Sequence, residues 1–341
     1  MSRLKQLDSA RGLAAVVVVA YHAVYTIDIG AWQVNSYFSF FEKLIFLPAK
    51  FGEAAVYFFM CISGFVLAMM IQKNPFLNKR QWMIWRSIRL IPLYYLSLLS
   101  AVFVSSFIGT QTYFYGVYFS HFYLFSNSTI YSGANPPLWS LTVEILLSLF
   151  FFLILKLERY FASRILLVTS IMYAFTYLLD GWGLRALVRS LIFFTIGISI
   201  CHGAKIWSNR RKLLTSLIFI NLLISYIDLP RNREIITLLQ FLVIPLLFSH
   251  ITQSDSKNLL TSKILSHLGR ISFTMYVFHW PILQILQIEG KNSQYFFLQN
   301  KIVAVPSVIL IVILISTLIY FLLERNIMYL SKYYIKVLKR S

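Results

Sequence analysis

Residues 302–323 read IVAVPSVILIVILISTLIYFLL, a stretch without a single charged side chain. Hydrocarbon about 30 Å thick is crossed by roughly 20 residues of helix, so this stretch predicts a transmembrane helix. The same rule finds nine further segments, at 11–28, 54–71, 88–108, 138–155, 164–180, 186–201, 213–227, 235–251 and 269–287. Composition fits a lipid solvent, with 58% hydrophobic and 13% charged residues and a mean hydropathy of +0.71. A soluble globular protein and a disordered tail are both excluded. With neither internal repeat nor low-complexity linker in view, the expectation is one all-α polytopic membrane domain over residues 1–341, about ten transmembrane helices around a central polar cavity.

The chain carries 31 Lys and Arg against 12 Asp and Glu, a formal net charge of +19. In a soluble chain that balance would point to nucleic acid. Placed on the spans, 23 basic residues fall on the side of the N-terminus and 8 on the other. The positive-inside rule then puts both termini in the cytoplasm and accounts for the charge with no nucleic-acid partner. Residues 12–27 follow a short basic segment as a signal peptide would, but Tyr21, His22 and Tyr25 stand where cleavage needs small residues, so this segment reads as a retained helix. Cys61 and Cys201 each lie inside an apolar run, which gives no support to a disulfide framework or a metal site.

Ionisable side chains inside spans cost energy and point to function. Arg11 and His22 are eleven residues apart on the first span, three turns plus about 20°, so they share a face with the imidazole about 16 Å deeper. That axis runs from the cytoplasmic surface toward the membrane centre. Asp8, one turn before Arg11, is placed to pair with it. Glu144 lies about 9 Å into the fourth span from outside, at the depth of His22 within about 5 Å. His279, about 15 Å into the ninth span, and Ser63 on the second reach the same layer. A buried histidine bonded to a neighbouring backbone, and a serine that lets helices pack closely, are the structural alternatives for these last two. Arg86 and Arg89 share one face at the cytoplasmic end of the third span; they serve either as positive-inside anchors or as two guanidinium forks for phosphate. The external segment 109–137 has nine aromatics between Tyr113 and Tyr131 and no charge. It reads either as an interfacial belt or as a stacking platform for sugar rings.

Five blocks of this sequence, in order, resemble the bacterial membrane acyltransferases of type 3. They are Leu7–Ala15 running to Tyr21-His22, an Arg-(ten residues)-His pattern; Phe58–Leu67, with Ser63 and Gly64; Arg86–Pro92, an Arg-x-x-Arg; Trp139–Glu144; and Leu268–Pro281, with Tyr276 and His279. The chain ends at Ser341 on a short basic tail and is similar to the stand-alone form of the family, without an appended esterase-like domain.

The resemblance implies a multi-pass protein of the bacterial inner membrane. It would take an acyl group, usually acetyl, from acyl-CoA in the cytoplasm and give it to a sugar hydroxyl of an envelope polysaccharide or its lipid-linked precursor, without a metal. On that reading His22 is the general base or a transient acyl carrier, and Glu144 orients it as a carboxylate orients a catalytic histidine elsewhere. Arg11, Arg86 and Arg89 would bind the coenzyme. Asp8, Ser63, Gly64, Trp139, Tyr276 and His279 would bind substrate or support the site, with Ser63 and Gly64 admitting the acyl arm close to the backbone. A second reading is a proton-coupled transporter or channel that uses the layer of His22, Glu144 and His279; it predicts broken helices repeated in two halves. A third, a noncatalytic scaffold, leaves the alignment of Arg11 and His22 unexplained.

Overall fold

The computed structural model describes residues 5–26, 47–74, 78–107, 134–157, 182–202, 220, 232–253, 260, 262–292 and 301–338. Among these residues all regular structure is helical. Helix α1 is Lys5–Thr26. A 3-10 turn, Leu47–Phe51, leads into α2, Gly52–Lys73, followed by α3, Lys79–Phe107. A second 3-10 turn, Pro136–Leu138, opens α4, Trp139–Leu157. Then come α5, Trp182–Cys201, α6, Asn232–Gln253, and α7, Lys263–Asn292. Helix α8, Lys301–Ile319, runs through a π turn, Tyr320–Glu324, into α9, Arg325–Leu338.

Six helical stretches among the described residues are long and apolar enough to cross a membrane: Lys5–Val24, Leu47–Lys73, Lys79–Phe107, Pro136–Leu155, Leu184–Cys201 and Val303–Ser331. The chain is an all-α polytopic membrane protein. The predicted span 235–251 falls on α6, whose apolar part, Leu239–Thr252, is shorter. The predicted spans 164–180 and 213–227, and the aromatics from Tyr113 to Tyr131, lie outside the described residues. The ninth predicted span falls on α7, which is not among the six. Ile271, Thr274, Met275, Val277 and His279 on it are all fully buried, so protein surrounds that face of the helix. Helix α8 shows the opposite case. Leu310, Leu314 and Leu318, four residues apart, face outward, while Val308 and Val312 are buried, the one-sided pattern of a helix against lipid.

Helices in lipid gain no hydrophobic drive toward one another and associate where small residues let backbones approach. Two such crossings organise this bundle. A Cβ on Gly12 of α1 would lie 2.5 Å from the Gly269 nitrogen of α7, and one on Gly269 would overlap the Asp8 carbonyl. On α2, a Cβ on Gly64 would overlap the Phe194 carbonyl of α5, and one on Gly197 of α5 the Cys61 carbonyl. Gly64 thus admits a helix backbone at the place where an acyl arm was expected. These contacts bring α1 onto α7 and α2 onto α5, the two most extensive helix pairs.

Prolines mark where the helical ladder is opened. Pro281 in α7 has no N–H for the Val277 carbonyl. The Asn135 side chain, just before α4, donates Nδ2 to that carbonyl at 3.1 Å. A freed backbone group in the membrane is satisfied by a neighbour, and the start of α4 is thereby pinned to α7 beside His279.

Candidate active site

A cavity of about 110 Å³ lies between α1, α2, α3, α4 and α7. Arg11, Ser63, Arg86, Arg89, Glu144 and Tyr276, all singled out from the sequence, line it. Ser140, Ser272 and Trp85 join them, with an apolar wall that includes Phe59, Met60 and Phe273.

Arg11 spans the α1–α7 crossing, its Nε donating to Ser272 Oγ at 2.7 Å and a terminal nitrogen to the Gly269 carbonyl at 2.9 Å. Ser272 in turn donates to the same carbonyl at 2.9 Å. Gly12 and Gly269 bring the two backbones so close that the guanidinium reaches α7 directly. What Asp8 presents to Gly269 is its backbone carbonyl.

Glu144 departs from expectation. Its carboxylate accepts a hydrogen bond and ion pair from Arg86 at 2.7 Å, across α3 and α4, instead of supporting His22. Depth alone put Glu144 and His22 in one layer; the azimuth of α4 turns the carboxylate to α3. The Arg86 guanidinium lies 5.7 Å from the centre of the Trp82 ring, and that ring stacks on Phe152 at 4.5 Å. Arg86 Nε is buried with no hydrogen-bond partner among the described residues. Arg89 lies 6.0 Å from the Trp85 ring. Three guanidinium groups therefore converge on one small chamber, and one retains an unused N–H. Such a donor set suits a phosphate or carboxylate ligand.

Tyr276 ties the chamber to the histidines. Its hydroxyl donates to the Pro137 carbonyl at 2.8 Å and is hydrogen-bonded to Ser140 Oγ, so the phenol is held at the mouth of α4. Its ring lies 5.9 Å from that of His279 and 5.5 Å from Phe59. Trp139, one residue before Ser140, is partly buried in the core and outside the cavity lining.

His279 is fully buried, and its Nδ1 lies 2.6 Å from the Tyr276 carbonyl. A carbonyl only accepts, so Nδ1 carries the proton and the neutral ring's lone pair is on Nε2. That Nε2 is buried with no partner among the described residues. The His22 ring is 5.1 Å from His279, 5.5 Å from Trp280 and 4.8 Å from Tyr21. His22 and His279 form a pair outside the cavity lining, with His279 next to the lining residue Tyr276 and His22 beyond it.

Sequence reading missed Ser140, Ser272, Asn135 and Glu324. Ser140 and Ser272 lie within the matched blocks and could have been found as hydroxyls one turn from Glu144 and from Gly269. Glu324, the first charge after the uncharged stretch, is 3% exposed and accepts a hydrogen bond from Thr274 Oγ1.

Comparison with known proteins fits this geometry. A family described as an acyltransferase domain matches residues 4–321. No curated protein and no solved structure matches the chain. Nearly the whole sequence is covered by the family match, six of its motif residues line one chamber, and the chain belongs to acyltransferase family 3 as a multi-pass membrane acyltransferase.

Proposed function

We propose that the protein transfers an acyl group, acetyl as the family default, from acyl-CoA on the cytoplasmic side of the bacterial inner membrane to a sugar hydroxyl of an envelope polysaccharide or its lipid-linked precursor. The observation that carries this reading is the convergence of Arg11, Arg86 and Arg89 on one chamber beside the His22–His279 pair. A chamber of about 110 Å³ is far too small for a whole coenzyme, so it suits one end of the donor, with arginines for its phosphates or amide arm.

In the transfer, the acceptor oxygen forms a bond to the acyl carbonyl carbon and the carbon–sulfur bond breaks. The His22 imidazole takes the hydroxyl proton and returns it to the departing thiolate. His279, held by the Tyr276 carbonyl, presents its Nε2 side to that chemistry and takes the supporting role first given to Glu144. The Trp280 ring packs edge to face with His22, 5.5 Å between ring centres. If the acyl group rests first on His22, the same neighbours serve an acyl-imidazole. The Arg86–Glu144 pair keeps the donor site charged and rigid. A transporter's proton relay loses its carboxylate in this arrangement, since Glu144 is bound to Arg86.

The test is mass analysis of envelope glycans from cells with and without the protein, fed isotope-labelled acetate. Labelled acetyl esters that appear only with the protein support the proposal; identical glycans in both would refute it.

A further inference from the structure

Three polar side chains on and beside the C-terminal half of α7 carry no step of the chemistry above. Trp280 Nε1, Gln284 Oε1 and Asn135 Oδ1 are each buried with no hydrogen-bond partner among the described residues. A buried polar atom costs free energy unless it is hydrogen-bonded, and native proteins keep few that are not. Here three gather within two turns of one helix.

Val277, Trp280, Pro281 and Gln284 follow the three- and four-residue spacing that puts side chains on one helix face. Asn135 joins that face at the Val277 carbonyl, to which its Nδ2 donates at 3.1 Å. A carbonyl only accepts, so the amide's orientation is fixed and Oδ1 is the atom left open. Gln284 is tied to α3 through its Nε2, which donates to Ser105 Oγ at 3.1 Å. A serine hydroxyl can donate as well as accept, so whichever way this amide turns, one of its two polar atoms keeps no partner. Trp280 Nε1 can only donate.

The position of these atoms relative to the proposed chemistry is specific. The Trp280 ring lies 5.5 Å from that of His22. Tyr276, one turn back along α7, lines the chamber, while Gln284 is one turn further on, about 6 Å by the helical rise. Chamber, His22 and open polar atoms therefore succeed one another along α7. With both termini in the cytoplasm, that order runs outward, from the donor side to the acceptor side. The chemistry of the set points to its ligand. One fixed donor, one fixed acceptor and an amide, none of them charged, match neighbouring hydroxyls that each donate and accept. A phosphate or carboxylate, which only accepts, would be faced by the Asn135 oxygen.

We infer that Asn135, Trp280 and Gln284 form the acceptor subsite, a neutral set of hydrogen-bonding groups that holds hydroxyls of the acceptor sugar next to His22. The inference rests on the proposed acyl transfer and deepens it on the acceptor side, so its test must separate the two. Full-length protein in lipid nanodiscs is given radiolabelled acetyl-CoA together with glycan from cells lacking the protein, the polysaccharide in one arm and the solvent-extracted lipid-linked glycan in the other. Initial rates yield the KM for glycan and for acetyl-CoA, and melting temperatures are measured alongside, for wild type, Trp280→Phe and Gln284→Met.

In the arm that wild type labels, each variant should raise the glycan KM about tenfold and leave the acetyl-CoA KM as it was. Gln284→Met, which removes the amide at similar volume, should also keep its melting temperature. A merely structural role would lower the melting temperature and leave the glycan KM alone. A wild-type glycan KM in every variant that folds overturns the subsite while acyl transfer stands. Loss of folding in both variants overturns it too, since the groups would then belong to the packing of α7. Should wild type label neither glycan, the transfer reading fails and this inference with it.

Discussion

Arg86 and Glu144 form a 2.7 Å ion pair between α3 and α4, both side chains mostly out of solvent. This pair joins two helices that also meet through the Trp82–Phe152 stack, and it forms one wall of the chamber.

Removing one partner of a buried pair leaves a stranded charge, a loss of about 3 kcal/mol at the lower end for such sites. Arg86→Met and Glu144→Leu alone should each lower the melting temperature of the protein in detergent. The double variant should recover much of that stability, because apolar replacements of similar volume pack without the desolvation cost. Acyl transfer should stay low in all three, since the guanidinium is part of the donor site. Activity restored along with stability would show that the pair is a helix staple and nothing more.

Ser63 and Gly64 are neighbours in sequence with different surroundings. Gly64 meets the Phe194 carbonyl of α5, whereas Ser63 faces the chamber. Gly64→Ala should cost about 1–3 kcal/mol by overpacking, read as lower membrane abundance. Ser63→Ala should leave abundance unchanged and alter only the rate. Equal abundance for both variants would contradict the α2–α5 crossing.

Asn135 and Pro281 make a coupled pair through the Val277 carbonyl. Asn135→Ala strands that carbonyl at a cost of about 1–3 kcal/mol, while Pro281→Ala supplies the missing backbone N–H. The loss caused by Asn135→Ala should therefore shrink in the Pro281→Ala background. Strict additivity in a double-mutant cycle of thermal stabilities would count against the link.

Much of this was legible in the sequence because lipid imposes simple rules. Length and apolarity found the spans, and the rise per residue placed His22, Ser63, Glu144 and His279 near one depth; the chamber takes Ser63 and Glu144 from that layer and adds Arg11 and Tyr276. Depth carries no azimuth, however. Glu144 and His22 were expected in one layer, but the carboxylate turns to Arg86, and packing of α4 on α3 decides that. The Gly12–Gly269 contact gave the Arg11 guanidinium an acceptor on a helix more than 250 residues away, which spacing along α1 could not show. Glu324 was hidden for another reason. At the end of an apolar run a carboxylate reads as a headgroup-level residue, and the π turn that buries it has no plain sequence signature; the row of small and apolar residues at every fourth position was the available hint.

The central claim is that His22 performs the transfer beside this chamber, and its most direct test is the ester content of envelope glycans, by mass spectrometry, in cells carrying wild type or His22→Ala at matched membrane abundance. A positioned proton acceptor contributes about 10²–10⁴-fold, so acyl esters should fall to the level of cells lacking the protein. Ester content equal to wild type in His22→Ala would contradict the account.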